Sequence, residues 1–391
     1  MKYRKLKANY LFDGTHLLDD RVLILDAGGK IIELINQQYA GDEIEKFSGI
    51  LCPGFVNAHC HLELSHLKNI IPEKTGLVEF VYKVVTGRHF DKEAITDATN
   101  KAQEEMFKGG IVAVGDICNN DLSIAAKMHA PIVYHNFIEV SGWNPGVAEM
   151  RFERSKELYQ EFVEKSMKAS LIPHAPYSVS KELWGKIAPF FFHNVVSIHN
   201  QETGDEDDFF EKGTGSLSGM YDMMGLDNSF YTPPGKRSIT SYFDRFREAL
   251  SVVLVHNTFT KQQDIDYIIE KKSPGQLISF CLCPNANLYI ENTLPEINLF
   301  IKNHCHIIIG TDSLASNHQL NILEELKTIA RSFTDIPLET LLQWATINGA
   351  KALQMEDRLG TFEKDQIPGV VLIKNVDDKK LNSDSTAERI V

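Results

Sequence analysis

Short apolar runs alternate with longer amphipathic stretches through most of this chain, the pattern of parallel beta-alpha units. Eight runs read as buried strands: 55–58, 111–115, 132–138, 171–173, 195–198, 252–255, 277–280 and 307–310. Helical stretches at 92–108, 148–168, 181–191, 261–271 and 320–332 separate most of them. Eight strands with intervening helices predict an α/β fold, a closed (β/α)8 TIM barrel, over residues 53–355. Outside that span the pattern changes. VLILD and KIIELI flank Ala27-Gly28-Gly29, which reads as a hairpin, and Gly360-Thr361-Phe362 and 370–373 are further short strand candidates. The expectation is a small β-sandwich domain assembled from residues 1–52 and 356–391.

A barrel of this kind does its chemistry at the C-terminal ends of its strands. Reading those ends in order gives His59 and His61, then Asp116, Glu139, His174, His199, His256, Cys283-Pro284 and Asp312. Side chains two apart on a strand share a face, so His59 and His61 can present two imidazoles to one point, as a divalent metal requires. Alone, such a pair is more often surface decoration than a metal site. With only 14 histidines in 391 residues, a polar or histidine terminus on nearly every strand argues for a site. The tripeptide His304-Cys305-His306 repeats His59-Cys60-His61 but precedes its strand, which puts it at the opposite rim.

Composition narrows the class. Hydrophobic content of 43% and charged content of 24% are those of a globular protein with a large core. A net charge of −13 disfavours nucleic acid and anionic lipid as partners and favours a small-molecule substrate. No apolar run reaches membrane-spanning length and no leader pattern is evident, so a cytoplasmic location is expected, with no membrane partner. The six cysteines do not form a disulfide framework and read as reduced. Glycine-rich phosphate loops, H-E-x-x-H and G-x-S-x-G are missing. The long irregular stretch 203–240 follows the fifth strand and reads as a substrate lid, its acidic run 205–208 as a solvated helix start.

PGFVNAHCH, SIHNQE with His199 and Glu202, LVHNTF with His256, and GTDSLASN with Asp312 together resemble the amidohydrolase superfamily. More narrowly, they are similar to its cytosine, guanine and adenosine-type deaminase branch, including the deaminases of methylthioadenosine, S-adenosylhomocysteine and aminodeoxyfutalosine. The resemblance implies that His59, His61, His199 and Asp312 hold one metal ion, zinc first and iron(II) second, which lowers the pKa of water from about 15.7 toward roughly 7. It makes Glu202 the proton shuttle, His256 the group that polarises the attacking water and Asp312 an acceptor of its proton. His174 resembles the branch's substrate-contacting histidine. It occupies the end of the fourth strand, where binuclear members carry a carboxylated lysine; Lys168 lies before the strand, so a mononuclear site is expected. Glu63, in phase with His61, and Ser313, beside Asp312, are further substrate-contact candidates, though Ser313 serves equally as a loop cap. Asp116 and Glu139 could contact substrate or fix loops.

The chain departs from the branch in two places. Cys283-Pro284-Asn285-Ala286-Asn287 has Ala286 where the branch usually has serine. The helix after the first strand lacks a recognisable ribose-binding acid, leaving Glu79 and Arg88 as candidates. The expected activity is hydrolytic deamination of an amino-substituted heterocycle, a purine or purine nucleoside derivative such as aminodeoxyfutalosine, with release of ammonia. Hydrolytic dechlorination or cyclic-amide hydrolysis at the same metal is the second reading, and a metal-free scaffold the third. A homodimer remains open.

Overall fold

The structure is a computed structural model that describes residues 3–391. The eight expected strands are present: β1 (Phe55–Cys60), β2 (Ile111–Cys118), β3 (Val133–Val140), β4 (Ala169–Pro173), β5 (Val195–Asn200), β6 (Ser251–His256), β7 (Leu277–Leu282) and β8 (His306–Ile309). Several run past the apolar run itself, because the polar residues that end them still make ladder hydrogen bonds. The strands form two parallel half-sheets, ordered β4-β3-β2-β1 and β5-β6-β7-β8. No continuous ladder crosses from one half to the other. At one seam the His199 N–H donates to the His174 carbonyl at 3.0 Å; at the other, the N–H groups of Thr311 and Asp312 donate to the His59 carbonyl at 3.0 and 3.1 Å. Asn57 reinforces the second seam through Thr311, donating from Nδ2 at 2.7 Å and accepting at Oδ1 at 3.1 Å.

One large apolar cluster fills the strands and the helices around them. Helix Ile347–Ala352 lies across the end opposite the histidines, where Asn348 donates to the Ile307 carbonyl at 2.9 Å and Ser251 to the Ala352 carbonyl at 2.9 Å. The two ends of the chain meet in two small sheets. Val370–Lys374 pairs antiparallel with Ile50–Pro53, which also pairs with Tyr10–Phe12. The expected hairpin is there, with Leu23 opposite Leu34. Leu6, Leu11, Leu23, Leu51, Val370 and Leu372 share a separate core between the sheets.

The insertion after β5 contains helices Asp205–Lys212, Ser216–Met223 and Ser238–Tyr242. It roofs the strand ends with an aromatic cluster: Trp143 stacks on Tyr221, with centroids 5.0 Å apart, and Phe209 on Tyr231 at 4.5 Å. The acidic run at its start corrects the expectation of a solvated helix start, because Glu206 is 0% and Asp207 9% exposed. Their partners come from the far end of the insertion. Ser238 donates its hydroxyl to Glu206 at 2.5 Å and its N–H to Asp207 at 3.0 Å, and Arg237 bridges Asp207 and Asp264 at 2.8 and 2.5 Å. Residues 32 apart thus close the stem of the roof.

Burial pushes the Glu206 carboxyl up to about 8 from an ordinary 4.5. Between those values the folded chain holds a proton that the unfolded chain has released, so stability falls as pH rises through the window. Glu206→Gln should flatten the dependence of the unfolding free energy between about pH 5 and about pH 8 and make the variant more stable than wild type at the upper end. Urea titrations across that range check this.

Candidate metal and catalytic site

At the C-terminal strand ends, five side chains converge. One ligand atom from each of His59, His199, His256 and Asp312 lies within 4.8 Å of the others. His61 joins them, with Nε2 3.4 Å from Asp312 Oδ1 and 3.3 Å from His199 Nε2. His59 Nε2 is 3.4 Å from the same carboxylate oxygen. The expected ligand residues His59, His61, His199 and Asp312 are therefore brought together, and His256 stands beside them.

The backbone explains how they meet. His199 and Val255 are register partners, as are Asn200 and His256, so alternation alone would leave His256 out of phase with His199. His256 has φ +72° and Asp312 φ +56°, a left-handed conformation uncommon outside glycine, and that turn at the strand end aims each into the site.

Several imidazoles are fixed from behind. His199 Nδ1 donates to the His174 carbonyl at 2.8 Å, and His256 Nδ1 is 3.3 Å from Asn287 Oδ1. Ser316 donates to Asp312 Oδ2 at 2.5 Å. Asn287 and Ser316 were not singled out from sequence, although Asn287 closes the Cys-Pro motif and Ser316 lies in GTDSLASN. Ala286 sits in the apolar core, where a methyl is what packs.

Both ring nitrogens of His59, and Nε2 of His256, are buried without a hydrogen-bond partner. Buried polar atoms are rarely left so, and unpartnered nitrogens on His59 and His256, within a donor set that also holds His199 and Asp312, fit a cation. The charges agree. Burial, then the neighbouring imidazoles, holds His199 well below the usual histidine range, and burial lowers His256 to about 4. Neutral imidazole is the ligating form. Burial alone would raise Asp312, but the adjacent imidazole of His59, with those of His61 and His256, outweighs it, so its carboxyl stays well below the usual range.

Glu202 is 5% exposed, and its Oε1 lies 3.5 Å from His256 Nε2. Burial, with the charge of Asp312 adding to it, raises its carboxyl well above the ordinary value. A carboxyl that stays protonated beside the donor set can give a proton to a bound molecule.

The remaining candidates divide. His174 faces the mouth and pairs with Glu139 at 2.6 Å. Glu63 is 4% exposed, and its Oε2 accepts from the loop after β2. Ser313 holds its own turn, with Oγ 3.1 Å from Ser316 Oγ and 3.2 Å from the Ala315 N–H. Asp116 does not join the cluster: it accepts the Leu62 N–H at 2.8 Å and meets the fully buried Lys127 ammonium at 2.5 Å, which fixes the backbone next to His61. Glu79 pairs with Lys83 on the outer side of its helix. His306 opens β8 at the opposite rim, 2.9 Å from Ser279 Oγ, and His304 is exposed.

All six cysteines are free. Among the described residues, no helix is long and apolar enough to cross a membrane.

Comparison with known proteins places this geometry. A sequence profile of the amidohydrolase family matches residues 50–387. An adenosine deaminase of Helicobacter pylori is 25% identical over 354 residues, covering 87% of this chain and 84% of that protein. An aminodeoxyfutalosine deaminase of Nitratiruptor sp. is 25% identical over 328 residues, covering 80% and 76%. The crystal structure of Helicobacter pylori aminofutalosine deaminase in complex with methylthio-coformycin superposes with a TM-score of 0.83 at 20% identity, covering 99% of this chain and 100% of that one. At that identity the likeness speaks for the fold.

Proposed function

The chain belongs to the amidohydrolase family and is a hydrolase of carbon–nitrogen bonds other than peptide bonds, and within that family we propose that it is a mononuclear, metal-dependent deaminase of a purine nucleoside. The observation that carries the reading is the buried Glu202 carboxyl, 3.5 Å from His256 Nε2, beside a convergent set of imidazoles and one carboxylate. Of the nucleosides that suit it, aminodeoxyfutalosine is favoured by the segments HLELSHLK and GTDSLASNHQL and by the Nitratiruptor relative. The two half-sheets are taken as one closed barrel spanning 53–355, supported by the hydrogen bonds at both seams, with 1–52 and 356–391 as the small sandwich domain.

His59, His61, His199 and Asp312 would hold the ion. A divalent ion there, zinc first and iron(II) second, supplies Lewis-acid activation of water near neutral pH. Asp312 Oδ1 takes a proton from the attacking water, and His256 Nε2 polarises that water and steadies the negative charge that develops. Glu202 delivers its proton to the ring nitrogen next to the reacting carbon. Its carboxylate then takes the hydroxyl proton of the tetrahedral adduct and passes it to the amino group, which leaves as ammonia while the carbonyl forms. The proton held by Asp312 restores Glu202 for the next turnover. His174, at the open side of the mouth, binds the substrate. The aromatic roof excludes bulk water from the reaction.

The test is ammonia release by zinc-loaded protein from adenosine, 5′-deoxyadenosine, 5′-methylthioadenosine, S-adenosylhomocysteine and aminodeoxyfutalosine. Release from at least one is expected. Glu202→Gln should keep its metal and lose turnover; loss of metal would make Glu202 a ligand. Ammonia from none, with chloride or a carboxylate product from other heterocycles, would replace deamination with the second hydrolytic chemistry. Ser316→Ala removes the hydroxyl behind Asp312 and should weaken zinc affinity by about 10–100-fold, measured by competition with a chelator.

A further inference from the structure

Four consecutive strand ends are tied side to side by hydrogen bonds that the metal site does not use. Glu63, after β1, accepts at Oε2 from the Asn119 N–H and from Asn120 Nδ2, each at 2.9 Å. Asn119, after β2, donates from Nδ2 to Glu139 Oε2 at 2.9 Å. Glu139, near the end of β3, meets His174 Nδ1 with Oε1 at 2.6 Å. The His174 side chain, after β4, is 23% exposed, against 0, 9 and 1% for His59, His61 and His256. A ligand entering the mouth therefore reaches this imidazole first.

Glu139, His174 and His199 also lie within 4.8 Å of one another, the spacing of a metal site. Their atoms are already committed. His199 spends Nδ1 on the His174 carbonyl and His174 spends Nδ1 on Glu139, so the group is an oriented imidazole with Nε2 left to face a ligand. A carboxylate with only one oxygen engaged can swing about its Cγ–Cδ bond. Asn119 engages the second oxygen and stops that rotation, while Glu63, itself buried, ties down the loop on which Asn119 rides.

We propose that Asn119 and Glu139 are positioning residues that aim His174 at the substrate, with Glu63 as the anchor of the loop that carries Asn119. The inference rests on the reading of His174 as a substrate contact. It assigns the string to substrate binding and not to bond breaking.

Two measurements on zinc-loaded protein test it. In the first, KM and kcat are determined for the nucleoside that releases ammonia fastest. Asn119→Ala should raise KM about tenfold, the usual effect of losing a hydrogen bond to a charged group, with kcat within about twofold of wild type. In a His174→Gln background the same substitution should change KM by less than about twofold, because the residue it acts through is gone. Equal effects in both backgrounds would overturn the proposal.

The second measurement needs no turnover. The His174 Nδ1–H proton, shared with Glu139, should give a low-field 1H NMR resonance, identified by its loss in His174→Gln. Glu139→Gln should move it upfield and Asn119→Ala should shift or broaden it. A resonance that neither variant moves also overturns the proposal. If wild type releases no ammonia from any nucleoside while the resonance responds, the deaminase reading falls and the positioning string stands.

Discussion

Two imidazole nitrogens, on His61 and His199, stand 3.3 Å apart in a mouth almost closed to solvent, and an aspartate oxygen stands 3.4 Å from His61 and from His59. Holding these groups together without water is costly, and the rest of the molecule is arranged to sustain it. Asn57 and Thr311 pin the seam beneath Asp312, Ser316 holds its second oxygen, and the His174 carbonyl and Asn287 grip His199 and His256 from behind. The Asp116–Lys127 pair does similar work one residue beyond His61. Its charges are fully buried; burial opposes the ammonium and the carboxylate beside it more than compensates.

The eight strands were legible from periodicity and the histidines from their place at the strand ends, whereas the reading of His59, His61, His199 and Asp312 as metal ligands came from the family resemblance. An apolar run followed by histidine at the C-terminal end of a strand has one meaning, and the same tripeptide at residue 304 has another, since it stands before its strand. What could not be read depended on contacts between distant residues. His256 reaches the site through a left-handed backbone and not through strand alternation. Glu206 and Asp207 look like a hydrated helix start until Arg237 and Ser238 are placed against them. Asp116 and Glu139 both end strands, yet one meets a buried lysine and the other a histidine at the mouth.

The roof and the site answer to different constraints. The clustered histidines and Asp312 sit at strand ends, where the left-handed backbone of His256 and Asp312 and the groups behind them admit little change. The insertion is held at its stem and by aromatic stacking above the mouth, and its distal part between residues 213 and 235 is tied down at a few points, among them the Tyr221 hydroxyl on the Tyr177 carbonyl and Trp143 Nε1–H on Asn228 Oδ1. Differences in what is bound can therefore arise in the roof while the hydrolytic chemistry below stays the same.

The two small sheets carry a consequence for how the chain is made. Ile50–Pro53 lies between Tyr10–Phe12 and Val370–Lys374, so one of its two neighbours is synthesised more than 350 residues after the other. Until then the N-terminal strands have an open edge and a core that lacks Phe362, Val370 and Leu372. Val370–Lys374, which follows the eight site-bearing strands in the chain, covers that edge when it pairs with Ile50–Pro53.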